Sequence, residues 1–400
     1  MIRLCIITTV PETIRAFLGS AQLEFLQQNG FEITVLTSPK DEFGKPLLLP
    51  TGVNYETVPM TRTVKPLQDI KALIKICSIL KKGKFDIVQY ATPKASLFGS
   101  IGAWLARCPV RLYLMWGLYY VTQKGLKKHL FKVIDKLICC LSTDIAPDSK
   151  GNVQFAVAEG ICKADKIQVI GHGSANGVDV KRFDPEKCAK YRNIIRDELK
   201  IPREAKVFGS IAAIVADKGI NEMISAFVRL AEEYPDVYLL LIGRTTEKDP
   251  VTAATLNYVR NHKRIRNIGW QKEPEKYFAA MDIFVLPTYR EGFGVVNIEA
   301  SAMELPVIST DVPGPQESIV NGQTGILVPA RTIEPLLAAM RKLVEDPDLA
   351  RRLGKSGRQR VKDYFEQKQL WNAILQHKMA LLRKSGQFHE LDGEPIHRIR

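Results

Sequence analysis

Asp282-Ile-Phe-Val-Leu-Pro-Thr-Tyr-Arg-Glu-Gly-Phe-Gly-Val-Val-Asn-Ile-Glu-Ala-Ser-Ala-Met303 reads as a strand, a tight loop and a helix in one run. Five residues from Asp282 to Leu286 are apolar after the first, as a parallel strand covered on both faces requires. The strand runs to Pro287, the loop Thr288–Gly294 follows with glycines at 292 and 294 that let the backbone approach a ligand closely, and a helix extends from about Val295 to Met303. Outward from this unit the same alternation recurs. Strand candidates in the second half are Val207–Ala212, Val237–Leu241 and Val307–Ser309, separated by helical patterns such as Asn221–Glu233 and Glu334–Glu345. The first half offers Leu4–Thr8, Glu32–Leu36, Asp86–Tyr90, Arg111–Leu114, Asp144–Ala146 and Lys166–Ile170, with helices over Ile14–Gln28 and Asp69–Lys81. Alternating β and α units predict an α/β fold with two doubly wound, Rossmann-like domains. The expected division is a first domain over 1–175, a hinge over 176–205 and a second domain over 206–365. A C-terminal helix over 366–385 returns to the first domain, and a flexible tail occupies 386–400.

Length and composition agree. Four hundred residues, 46% hydrophobic and 25% charged, suit two full-sized domains and exclude intrinsic disorder, collagen-like repeats and a small disulfide scaffold. Uncharged, mainly apolar stretches such as Leu112–Val121 fall far short of the ~20 residues that cross a bilayer. The first ten residues read as a strand rather than a signal peptide, so a cytoplasmic protein is expected. Seven scattered cysteines without CxxC or zinc spacing read as reduced thiols. The net charge of +14 is denser in the first half, where residues 1–180 hold 22 Lys and Arg against 14 Asp and Glu. That excess suits an anionic partner. Nucleic acid is not expected, because no recognition motif accompanies the charge.

Ligands of doubly wound folds sit outside the carboxyl ends of the strands. Neither a GxGxxG after the first strand nor a GxxxxGK[ST] is present, which argues against a dinucleotide or P-loop site. The loop of the opening run carries other chemistry. Glu291 lies in it and Glu299 eight residues on, while the helix start offers unpaired amides that favour negative charge. Two carboxylates can accept hydrogen bonds from hydroxyls of one ligand that is anionic in between. A nucleotide sugar has that form.

The run Leu286–Gly294 with Glu299-Ala300, Leu305–Thr310, Gly314 and Asn321–Gly325 resembles the retaining GT-B glycosyltransferases of family 4. Thr8–Phe17, Thr92-Pro-Lys94 and Gly173–Asp179 resemble a bacterial subgroup that builds lipid-linked surface or protein-linked glycans. The resemblance implies two Rossmann-like domains facing across a cleft. It also implies transfer of a hexose, N-acetylated or not, from a nucleoside diphosphate sugar to a polyprenyl diphosphate-linked acceptor. A uridine diphosphate sugar is the expected co-substrate, with no bound cofactor and no metal. Glu291 then contacts the donor sugar beside the amides of Gly292, Phe293 and Gly294. Glu299 holds the ribose and Lys218 the pyrophosphate. Lys218 lies between a strand and a helix start, where ammonium and amides can converge on one phosphate.

The pattern is broken in places. Ala213 stands where the family carries a phosphate-gripping arginine, a loss worth ~3 kcal/mol or about a hundredfold in rate. Arg244 and Arg290 are the candidate substitutes. Trp116 stands where a histidine faces the donor sugar, so it reads as a cleft wall, and Gln89-Tyr-Ala91 replaces a His-x-His. Two alternatives follow: a degenerate sugar-nucleotide or glycan-binding protein, and a sugar-nucleotide epimerase. His129 and His172 have no partner that sequence can place. Finally, Leu126, Leu130, Ile134 and Ile138 step by four, with Lys128, Lys132 and Lys136 about 200° away. Such a helix packs its leucines on a sheet with lysines in water. The alternative is a peripheral contact with anionic lipid on the inner face of the cytoplasmic membrane.

Overall fold

The computed structural model describes residues 1–40, 44, 47–246, 249–386, 388–389 and 397–398. The chain forms two compact units, one of residues 1–176 with 369–400 and one of residues 177–368. Among the described residues no helix is long and apolar enough to cross a membrane.

In the first unit β1 (Ile2–Ile7), β2 (Phe31–Thr37), β3 (Asn54–Thr57), β4 (Ile87–Tyr90), β5 (Val110–Met115) and β6 (Asp144–Pro147) form one sheet. Their order is β3-β2-β1-β4-β5-β6, all parallel, with Ile6 opposite both Val35 and Gln89. Alternate residues of β1 enter different cores. Leu4 and Ile6 pack with Leu381 and Leu382 of the C-terminal helix, while Cys5 and Ile7 pack with Ile76, Phe98 and Ile138 on the other face. From Gln369 onward the C-terminal helix therefore belongs to this unit.

The second unit repeats the plan with β7 (Lys206–Ile211), β8 (Val237–Ile242), β9 (Ile265–Asn267), β10 (Ile283–Leu286), β11 (Val307–Thr310) and β12 (Gly325–Val328), ordered β12-β11-β10-β7-β8-β9. Strand order reverses between β1 and β4 in one sheet and between β7 and β10 in the other. A crevice opens at the carboxyl edge of such switch points, the standard ligand position.

Several boundaries differ from the sequence reading. The segment 176–205, read as a hinge, contains the helix Pro185–Glu198, and from Gly177 on it belongs to the second unit. Its Arg196 is fully buried and donates to Asp282 at 2.8 Å and to the carbonyls of Ala280 and Ala205. A buried guanidinium is tolerated because every face of it is bonded. Ile14–Gln28 is two helices, Pro11–Phe17 and Gly19–Gln28, broken where Gly19 adopts φ +65°. Lys166–Ile170 is not a strand: it holds the end of a 3-10 turn and one bridge, Ile145 to Ile167. Of the tail, Gly386 and the antiparallel pair Phe388–His389 with His397–Arg398 are described, and the rest of the flexible-tail reading lies outside the described residues.

The helix Gly125–Leu141 corrects the reading of its faces. Ile138 and Cys139 are buried, but Leu126 is 88% exposed and Leu130 58%. A helix turns every 3.6 residues, so side chains spaced by four drift ~40° per step. Over three steps that drift carries the series from the solvent side to the buried one.

Candidate active site

At the carboxyl edge of β7 the chain runs Ile211–Val215, turns through a 3-10 segment Ala216–Lys218 and enters the helix Ile220–Glu233 through Gly219. At the carboxyl edge of β10 the loop 287–294 leads through Gly294, at φ +82°, into the helix Val295–Ala302. Side by side at the switch point, the two loops are bonded together. Tyr289 N donates to the Asp217 carbonyl at 2.9 Å, and Arg290 Nε pairs with the Asp217 carboxylate at 3.0 Å. Tyr289 hydroxyl donates to Glu222 at 2.6 Å, with the Arg331 guanidinium over its ring.

The structure joins two of the expected site residues directly. Lys218 Nζ donates to Glu291 Oε1, and both side chains are about three-quarters buried. A cation and a carboxylate seventy-three residues apart in sequence thus share one point above the switch between β7 and β10. Glycine is required around them. A Cβ at Gly314, φ +94°, would lie 2.8 Å from the carbonyl oxygens of Glu291 and Gly292.

Glu299 sits in the second turn of Val295–Ala302, partly accessible but in dense surroundings. Burial pushes its carboxyl up to about 7, opposed by the Arg182 charge and reinforced by that of Glu275. Phe293 is a core residue, edge-on to Phe365 at 5.2 Å between ring centres, so only its backbone is left to face a ligand. Arg290 is engaged with Asp217. Arg244 is exposed just past β8, its guanidinium over Trp270. Its carbonyl accepts from Ile214 N at 2.9 Å, which places its backbone beside the Ala213 segment.

Trp116 belongs to the first unit. It stacks on Phe17 at 4.6 Å and lines a cavity with Gln89, Asp148 and Lys378. Lys378 is buried, burial pulls its ammonium down to about 7, and its Nζ donates to Gln89 Oε1. Sequence reading missed Lys378, Asp217 and Tyr289. No local pattern marks a lysine whose partner is 289 residues away.

Comparison with known proteins settles the family. The profile for glycosyl transferases group 1 matches residues 191–360, and that for glycosyl transferase 4-like proteins matches residues 10–149. A capsular polysaccharide biosynthesis glycosyltransferase of Staphylococcus aureus is 31% identical over 382 residues, covering 95% of this chain and 97% of its own. The chain belongs to the family 4 glycosyltransferases. It is therefore a transferase built on the GT-B architecture. This glycosyltransferase is also 26% identical to an N,N'-diacetylbacillosaminyl-diphospho-undecaprenol alpha-1,3-N-acetylgalactosaminyltransferase of Campylobacter jejuni, over 86% of this chain and 90% of that one. In fold it matches an Anabaena protein, HepE, crystallised with UDP and glucose: TM-score 0.78, 18% identity, 95% of this chain and 100% of the other.

Proposed function

We propose that this glycosyltransferase moves a hexose or N-acetylhexosamine, with retention, from a uridine diphosphate sugar to a polyprenyl diphosphate-linked glycan. Its place is the inner face of the cytoplasmic membrane, in assembly of a bacterial surface polysaccharide or glycoprotein glycan. The observation that carries the reading is the Lys218–Glu291 pair at the carboxyl edge between β7 and β10. Departure of a nucleoside diphosphate builds negative charge, and a fixed ammonium beside a helix N-terminus lowers the barrier to it. Before the donor arrives, Glu291 compensates the lysine. On binding, the ammonium turns to the diphosphate and the carboxylate accepts from sugar hydroxyls. The similarity to transferases named for diphospho-undecaprenol acceptors supports the acceptor class. Thermal shift with uridine, guanosine and adenosine diphosphate sugars tests the donor, since a ligand bound by the native state alone raises its stability.

Glu299 gives the reading a pH signature. Ribose hydroxyls donate to a carboxylate, so donor binding favours the ionised form and releases a proton. With the carboxyl at about 7 in the free protein, donor affinity rises with pH. The gain from pH 6 to pH 8 is about tenfold, and affinity levels off above that range. Titration calorimetry shows the slope in the native protein and a weak, flat profile in Glu299→Gln. A native profile without slope contradicts the assignment.

Arg244 is the proposed replacement for the arginine missing at 213. Arg244→Ala lowers kcat/KM about a hundredfold, and adding Ala213→Arg restores most of it. If Arg244→Ala is neutral while Ala213→Arg alone raises turnover sharply, the enzyme is instead a partly degenerate member that retains donor binding.

A further inference from the structure

The helices Pro66–Gly83, Pro93–Leu105 and Gly125–Leu141 lie side by side on one face of the first sheet. Their outward surface is not the polar one expected of a solvated layer. Leu126, Leu130, Val133 and Leu137 fall within an arc of about 60° at 100° per residue and are all exposed. Leu67, Ile70 and Ile74 repeat the pattern on Pro66–Gly83, with Leu67 80% exposed and Ile74 64%. Scattered exposed leucines need no explanation, but two aligned stripes in one layer do.

Charge identifies what covers them. The three helices carry two carboxylates, and neither faces outward unpaired. Asp69 is bonded to Lys94 at 2.6 Å, and Asp135 is buried, its carboxyl pushed up to about 7. Lys71 and Lys75 border one stripe, Lys127 and Lys136 the other, all exposed and without a carboxylate at ion-pair distance among the described residues. An apolar stripe between lysines is how a helix lies in a membrane interface, leucines in the acyl boundary and ammonium groups at anionic headgroups. A second copy of the chain would set lysines against lysines across a two-fold contact. Both helices start at the carboxyl edge of the sheet, after β3 and β5, which is the edge where ligands of this fold are bound.

We propose that these two outward faces form one docking surface for an anionic lipid bilayer, holding the first unit's ligand edge at the headgroups. The inference rests on the lipid-linked acceptor reading and specifies the surface that meets the lipid. Co-sedimentation with phosphatidylcholine vesicles, with and without one-third phosphatidylglycerol, tests it. The native protein partitions onto the anionic vesicles and is released by high salt. Leu126→Glu/Leu130→Glu and Lys127→Glu/Lys136→Glu each reduce partitioning by about tenfold or more. These side chains are exposed, so the variants keep the fold, and their thermal shift with uridine diphosphate stays native. Equal binding to neutral and anionic vesicles, or undiminished binding by the variants, overturns the proposal. So does a native dimer that Leu126→Glu/Leu130→Glu turns into a monomer in sedimentation equilibrium. Loss of the uridine diphosphate shift in the native protein with vesicle binding intact counts against the donor reading alone.

Discussion

Glu291→Ala lowers the rate of sugar transfer by about a thousandfold, and Lys218→Ala by a hundred- to a thousandfold. The lysine variant loses the charge that meets the departing diphosphate. The glutamate variant loses the acceptor for the donor sugar's hydroxyls and leaves Lys218 without its present partner. Because the two side chains are bonded to one another, their effects are not additive. The double variant falls about as far as the worse single one, rather than by the product of both. Release of nucleoside diphosphate measures the rate, and circular dichroism checks that the partly exposed changes leave the fold intact. Near-native turnover in both single variants rejects the assignment of this pair.

Gly219→Ala is expected to be among the most damaging small changes in the second unit. Gly219 has φ +68°, a region that costs an alanine ~1 kcal/mol or more. Its Cβ would also lie 1.9 Å from the Pro287 carbonyl oxygen, with backbone on both sides of the clash. The loops after β7 and β10 must then part, which separates Lys218 from Glu291 as well as straining the fold. A loss of about 4 kcal/mol is expected, read as a fall in denaturation midpoint and as lost activity in the fraction still folded. Gly269→Ala, also at positive φ but with open space around its Cβ, is expected to cost only the conformational part.

Much of this architecture was legible in the chain, and the exceptions have physical causes. Strands buried on both faces announce themselves as apolar runs, as β1, β8 and β10 do. In the two six-stranded sheets the strands that escaped are β3, β9 and β12, each at a sheet edge and three or four residues long. Asn54–Thr57 is only half covered and shows no apolar run at all. Lys166–Ile170 erred the other way, a β-branched stretch that meets the sheet at one bridge. The helix Pro185–Glu198 inside the segment read as a hinge is largely polar in sequence, and what ties it to the second unit, Cys188 and Ile195 in the core and Arg192 and Arg196 on Asp282, exists only in the folded chain. For the site, the order of Glu, Gly and helix start named Glu291 and Glu299. Their different surroundings, one paired with Lys218 and one pressed by burial, exist only in the folded chain. Phe293 was placed correctly in the loop, yet its ring serves the core. The misread helix Gly125–Leu141 shows the limit of counting by fours over a dozen residues.

Hydrogen exchange with and without a uridine diphosphate sugar tests the central claim most directly. Binding at the β7–β10 switch point slows exchange of the amides in 216–222 and 290–299 and leaves the first unit's β4 and β5 segments little changed. Protection confined to the first unit, or none at a sugar nucleotide concentration that supports transfer, would contradict it.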